Sequence, residues 1–103
     1  MSVLKITKDN FEELVLRNVQ PVLLDFWAPW CGPCRMVGPI VEAIGADRQD
    51  ITVGKINVDE EMELAMEFKI ASIPTLVVMK GGKLCAKTIG YCPREEIEAM
   101  LNV

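Results

Sequence analysis

The sequence contains no histidine. That absence excludes Cys-His zinc sites, Ser-His and Cys-His nucleophile pairs, and imidazole acid–base chemistry in one step. No apolar stretch reaches the roughly 18 residues that a membrane-spanning helix needs, so a membrane is not an expected partner. The opening residues, MSVLKITKDN, lack the basic start and long apolar segment of a signal peptide, and the cytoplasm is the expected compartment. Lys and Arg are outnumbered, 11 against 15 Asp and Glu, for a net charge of −4. Nucleic acid and anionic lipid both reward cationic excess, so neither is expected. Internal repeats, low-complexity tracts and linkers are also missing.

What is present is ordinary globular material. The 103 residues are half apolar and one quarter charged, and a single domain over 1–103 is expected. Such a chain buries roughly 60 to 70% of its unfolded surface, enough for a core without disulfide staples. In a reducing compartment its four cysteines point to catalysis or metal binding rather than to structural cross-links.

VLKI (3–6) reads as a short strand, and Asp9 to Glu12 as a capping box with Asp in the capping place, opening a short helix. VLLDFWA (22–28) is an almost continuous apolar run, the mark of a strand buried on both faces. Residues 33–48 place Met36, Val37, Ile40, Val41 and Ile44 at helical spacing, with a kink expected at Pro39. ITVGKINVD (51–59) is a second buried strand, and DEEMELAMEF (59–68) an amphipathic helix with acids in its first turn. Met62, Met66 and Met100 are expected on helix core faces. TLVVM (75–79) and KLCAKTIG (83–90), joined through Gly-Gly, form an antiparallel hairpin, and PREEIEAML (93–101) is a last helix with proline at its first position. The order β-α-β-α-β-α-β-β-α predicts an α/β fold, a mixed sheet with helices on both faces.

Chemistry concentrates in LLDFWAPWCGPCRM. Residues three apart on a helix have Cβ atoms about 5–6 Å apart, close to disulfide geometry. Cys31 and Cys34 can therefore alternate between dithiol and disulfide with little backbone movement. Cys31 is expected exposed at a helix N-terminus, where free N–H groups stabilise a thiolate, and Pro33 suits such a start. Cys34, a turn further in, is expected to be buried. An exposed thiolate beside a buried thiol serves a two-step exchange: the first sulfur attacks a substrate disulfide and the second resolves the mixed disulfide. A zinc site is disfavoured because the other thiols, Cys85 and Cys92, are seven apart rather than three. A structural disulfide is disfavoured because so short a loop gains little entropy.

Asp25 sits within the apolar strand just upstream. Leu23, Asp25 and Trp27 share one face, and Leu24 and Phe26 the other. A buried carboxylate responds with a raised pKa, which brings its proton exchange toward neutrality, where a general base is useful. Asp25 then accepts the proton of Cys34, through a water, as Cys34 attacks the mixed disulfide. The alternative is an aspartate hydrogen-bonded for structural reasons. Trp30 is expected to flank Cys31 as an apolar cover.

FWAPWCGPCRM, Pro39, KINVDE, SIPTLVVMKGG and the late Ile-Gly together resemble the thioredoxin family, over essentially Val3 to Leu101. The resemblance implies a thioredoxin fold: a five-stranded sheet of order 1-3-2-4-5 with four helices around it. It implies an electron-transport role, reducing the disulfides of client proteins without a bound cofactor or metal, with a thioredoxin reductase as electron donor. The chain is expected to act as a monomer. Gly32-Pro33 between the cysteines resembles the reductants, whereas glutaredoxins carry Pro-Tyr, disulfide isomerases Gly-His and periplasmic oxidases Pro-His. The resemblance carries the proton-acceptor role onto Asp25 and brings the ammonium of Lys55 toward it; by its residue type alone Lys55 reads equally as a lysine snorkelling from a strand end. Pro74 matches a cis proline beside the disulfide, Ile73 the residue whose backbone pairs with an extended substrate, and Gly90 a glycine that leaves the substrate room. Trp30, Gly32, Pro33, Ile73, Pro74 and Gly90 are thus the expected substrate-facing set. Arg35 reads as a source of positive potential or as an ordinary exposed arginine.

Cys85 and Cys92 lie outside the motif. Cys85, in a strand, reads as a small apolar filler, and Cys92 as a helix N-cap thiol near the substrate rim, hence the more reactive of the two. A bond between them is not expected, because strand residues 85 to 89 already span about 13 Å, past the roughly 7 Å limit for bridged Cα atoms.

Overall fold

The apolar run at 22–27 is explained by where it lies. In the computed structural model, which describes residues 3–102, these residues form β2 (Val22–Trp27), the middle strand of a five-stranded sheet. The other strands are β1 (Leu4–Lys5), β3 (Thr52–Asn57), β4 (Thr75–Lys80) and β5 (Lys83–Ile89). Their order is β1-β3-β2-β4-β5. β3 runs parallel to both β1 and β2, whereas β4 is antiparallel to β2 and to β5. Three α-helices, α1 (Gly32–Asp47), α2 (Met62–Glu67) and α3 (Arg94–Leu101), and a π-type helical segment (Glu12–Leu16) complete the described residues. This is the mixed α/β sheet and four-helix arrangement expected from the sequence.

Side chains that alternate along the strands supply two cores. On one face Leu23, Val53, Leu76 and Val78 pack with Val37, Val41 and Ile44 of α1 and Ile97 and Leu101 of α3. On the other, Val22, Leu24, Phe26, Ile56 and Val77 pack with Phe11, Val15 and Leu64. Phe68 closes this second core, with its ring centroid 5.1 Å from Phe26 and 5.7 Å from Phe11. Each fully buried Leu, Ile or Phe contributes about 1.5–3 kcal/mol, so β2, covered on both faces, is firmly anchored. The β4–β5 turn needs positive φ at both central residues, and Gly81 (φ 58°) and Gly82 (φ 78°) supply it.

Several local expectations are corrected. The capping box does not form: the first helical segment has no side-chain cap. Asn10 takes the Thr7 N–H at 2.8 Å and donates to the Lys5 carbonyl at 2.9 Å, while Glu12 pairs with Arg17 at 2.9 Å. The segment closes as a π turn, with the Arg17 N–H on the Glu12 carbonyl at 2.9 Å. α2 starts late because the Asn57 side chain captures the Asp59 N–H at 2.9 Å and holds a turn there. Within α2 only Leu64 is buried; Met62 and Met66 are exposed, two residues to either side and so about 200° around the helix. Met100 is partly buried against the first core, as expected. Met36 is exposed. Pro39 lies inside α1, as expected, whereas Pro93 is the N-cap of α3 rather than its first helical residue.

Candidate active site

The carboxyl end of β2 delivers the chain to the start of α1, and the cysteine pair sits on that junction. Cys31 is the N-cap of α1, in extended conformation, with Gly32 and Pro33 as the first helical residues. Neither interrupts the helix, because first-turn N–H groups have no intrahelical partner to lose. Cys31 and Cys34 are disulfide-bonded, with Cα atoms 5.3 Å apart. The Cys34 N–H points at Cys31 Sγ at 3.2 Å, so an orphan donor of the helix start is already aimed at the sulfur that would carry negative charge.

The expected exposure difference between the two cysteines is absent in this oxidised state. Cys31 is 4% exposed and Cys34 5%. The cover comes from Trp27, Val58 and Ile73, which pack against the pair, and the Ile73 carbonyl oxygen lies 3.7 Å from Cys31 Sγ. Trp30 is not that cover. It is 68% exposed, donates from Nε1 to Asp59 Oδ2 at 2.9 Å, and forms one wall of a shallow groove with Ala65, Ile70, Ala71, Ser72 and Ile73. Gly32 and Pro33 are exposed at the rim. Arg35 is also exposed and turns back to donate to the Pro29 carbonyl at 3.0 Å.

The facing loop carries a cis Ile73–Pro74 peptide bond. Pro74 is buried and Ile73 half-buried. Thr75 Oγ1 donates to the Ser72 carbonyl at 2.6 Å, and the Gly90 N–H donates to the Pro74 carbonyl at 2.8 Å. Gly90 has φ 90°, and among the described residues a Cβ built there would meet no atom within 4 Å. Glycine satisfies the backbone, and the space beside it is open.

Asp25 is 1% exposed, and among the described residues neither of its oxygens has a hydrogen-bond partner. Burial pushes its pKa from 3.8 up to about 6; the Lys55 ammonium partly offsets that rise, and Glu42 adds to it. Lys55 stands opposite Asp25 across the β2–β3 pair. Its Nζ, however, lies 3.7 Å from Glu42 Oε2 and 4.6 Å from the centroid of the Trp27 ring. Glu42 and Asp59 are charged residues of the site that sequence reasoning missed, as are Trp27 and Val58 in its apolar cover. A helical register from Gly38 would have placed Glu42 one turn on, on the same side of α1.

The remaining thiols reverse their expected roles. Cys92 is 1% exposed and donates to Glu96 Oε2 at 3.3 Å. Burial, reinforced by Glu96, pushes its thiol up to about 11. Cys85 is exposed, at the β5 position where the register with β4 slips. The filler is Cys92, because α3 folds it into the first core. Among the described residues no cluster of three or more His, Cys, Asp or Glu could hold a metal ion.

A family model described as Thioredoxin matches residues 2–103. The chain is 48% identical over 103 residues to a thioredoxin of Porphyra purpurea, covering 99% of this chain and 96% of that one. It is 46% identical over 101 residues to a thioredoxin of Alicyclobacillus acidocaldarius, covering 97% and 95%. A chloroplastic M-type thioredoxin of Chlamydomonas reinhardtii is 46% identical over 102 residues, covering 94% of this chain and 73% of that one.

Proposed function

The chain belongs to the thioredoxin family, and from that premise we propose that it is a general cytosolic reductant, recharged by a thioredoxin reductase and working as a monomer within one domain. It is a thiol-disulfide oxidoreductase that reduces the disulfides of protein substrates through Cys31 and Cys34. The observation that carries the division of labour is the helix start: Cys31 caps α1 and receives the Cys34 N–H at 3.2 Å. Cys31 is therefore the nucleophile. Its thiolate attacks one sulfur of a substrate disulfide; a mixed disulfide forms and the other substrate sulfur leaves as a thiolate. Cys34 gives its proton to Asp25 and attacks Cys31 Sγ. The Cys31–Cys34 bond forms, the mixed disulfide breaks, and two electrons have passed to the substrate.

The substrate chain lies along the groove between Trp30 and the Ile73–Pro74 loop, with the Ile73 backbone as its pairing edge, Gly32 and Pro33 beneath it, and the open side of Gly90 as clearance. Asp25 is suited to receive the Cys34 proton because an unpartnered buried carboxylate is a stronger base than a solvated one. The Gly32-Pro33 dipeptide supports the reducing direction and a reducing compartment. Since one relative is chloroplastic, fractionation of the native protein tests the cytosolic assignment.

The exchange itself is tested by trapping. Reduced Cys34→Ser protein mixed with a disulfide-containing protein should accumulate the mixed disulfide, and Cys31→Ser should accumulate none. Equal trapping by both variants would show that the nucleophile is wrongly assigned.

A further inference from the structure

Asp25 and Lys55 face each other in register, and a buried carboxylate beside an ammonium ordinarily takes it as a partner, since an unpaired buried charge is costly. Here the ammonium goes elsewhere. It lies 3.7 Å from a Glu42 carboxylate oxygen, with Trp27 beneath it at 4.6 Å, while among the described residues both Asp25 oxygens remain without a hydrogen bond. Two carboxylates thus compete for one cation, and the more solvated one holds it: the Glu42 side chain is 60% exposed and that of Lys55 22%. Gly38, one turn before Glu42, permits the arrangement. A methyl there would already touch Lys55 Nζ at 3.7 Å, and a longer side chain would displace it.

The groups around Asp25 are few. β3 contributes Lys55 and α1 contributes Glu42. β4 places Leu76 opposite Asp25 and adds no charge. Lys5 of β1, in the cleft beside Lys55, is paired with Glu60 at 3.4 Å.

We infer that Glu42 is a positioning residue for the exchange reaction: by holding the Lys55 ammonium on the helix side, it keeps Asp25 unpaired and basic enough to take the proton of Cys34. This rests on the reading of Asp25 as proton acceptor. Glu42 acts in two ways that share a sign. Its negative charge disfavours ionisation of Asp25, and its hold on Lys55 limits how far the cation favours it. Removing the charge releases both.

The test is the pH dependence of two quantities in the wild-type chain and in Glu42→Gln, Glu42→Asp and Asp25→Asn. The first is the single-turnover rate at which Cys34 releases a thiol from a preformed mixed disulfide at Cys31. The second is the urea stability of the oxidised protein. In Glu42→Gln both acid limbs should move to lower pH by roughly half to one pH unit, the size of one partly screened charge. Glu42→Asp, which keeps the charge, should follow the wild type, and Asp25→Asn should lack both limbs. If Asp25→Asn lacks the kinetic limb and Glu42→Gln leaves it in place, Glu42 does not position Lys55 and the inference falls alone. If Asp25→Asn keeps the kinetic limb, Asp25 is not the acceptor and the catalytic role of Glu42 falls with it. The stability limb then shows separately whether Glu42 governs the Lys55–Asp25 pair: movement in Glu42→Gln retains that electrostatic link, and no movement overturns it.

Discussion

Replacing Asp25 with alanine should stabilise the protein, and only above a definite pH. The carboxyl is 1% exposed, without a hydrogen-bond partner among the described residues, and raised from 3.8 to about 6 by burial. A carboxylate whose folded pKa lies above its unfolded value binds its proton more tightly when folded. Ionising it opposes folding once the pH passes the unfolded value, and the penalty grows until the folded value is reached. Below about pH 4 the group is protonated in both states and the penalty vanishes. Between about pH 4 and 6 it rises by about 1.4 kcal/mol per pH unit, and above that it levels at roughly 3 kcal/mol. Asp25→Ala removes this penalty. It also leaves a small cavity, which lowers stability by a constant amount at every pH and leaves the step intact. Urea titration of the oxidised protein from pH 4 to 8 measures it; keeping the active-site disulfide closed removes Cys31 and Cys34 from the titration, and Cys92 at about 11 lies outside the window. At pH 7.5 the gain relative to pH 4 should appear thermally as a rise on the order of 10–20 °C. A stability difference between variant and wild type that is flat across pH 4 to 7.5 would refute a desolvated Asp25.

The free thiols offer a second measurement: brief alkylation of the oxidised protein should label the exposed Cys85 and spare the buried Cys92 until denaturant is added, read by mass mapping, and early labelling of Cys92 would contradict its packing in the first core. Gly90→Val should cost about 1 kcal/mol or more in stability, because φ 90° suits glycine alone. The same change places two methyl groups in the open space beside the cis-proline loop, so KM for a protein disulfide should rise several-fold while the rate with a small disulfide stays near wild type. Equal effects on both substrates would show that Gly90 is not a clearance point.

The sheet and the cysteine junction were legible because both are written in contiguous residues. A run such as Val22–Trp27 needs two covered faces wherever it goes, and Cys-Gly-Pro-Cys after it needs only a helix start. The burial of Asp25 was legible for the same reason, since every neighbour along its strand is apolar. What escaped depends on residues distant in sequence. Cys31 loses its exposure to Ile73, 42 residues away, and no local pattern states how closely that loop will press. Asp59 and Glu42 look like ordinary surface acids until β3 and α1 are packed, when one meets the Trp30 indole and the other the Lys55 ammonium. The methionines of α2 misled because six residues give too few turns to distinguish a core stripe from its opposite side; Leu64 alone is turned inward.

The strength of a buried base has limits on both sides, and the three charges around β2 meet them together. Were Asp25 satisfied by a full ion pair, its pKa would fall and it would accept a thiol proton poorly. Were it alone in the core, desolvation could raise it until it stayed protonated at neutral pH and accepted nothing. Lys55 supplies the correction downward and Glu42 limits that correction, leaving the group at about 6, ionised at neutral pH yet more basic than a surface aspartate. The setting follows from backbone register on one side, Asp25 against Lys55, and from one helical position on the other. Changing Lys55 to a neutral side chain should therefore act opposite to changing Glu42. Lys55→Met should raise the acid limb of mixed-disulfide resolution, Glu42→Gln should lower it, and the double variant should fall between them. A double variant that instead matched Glu42→Gln would mean that Lys55 contributes nothing to the setting.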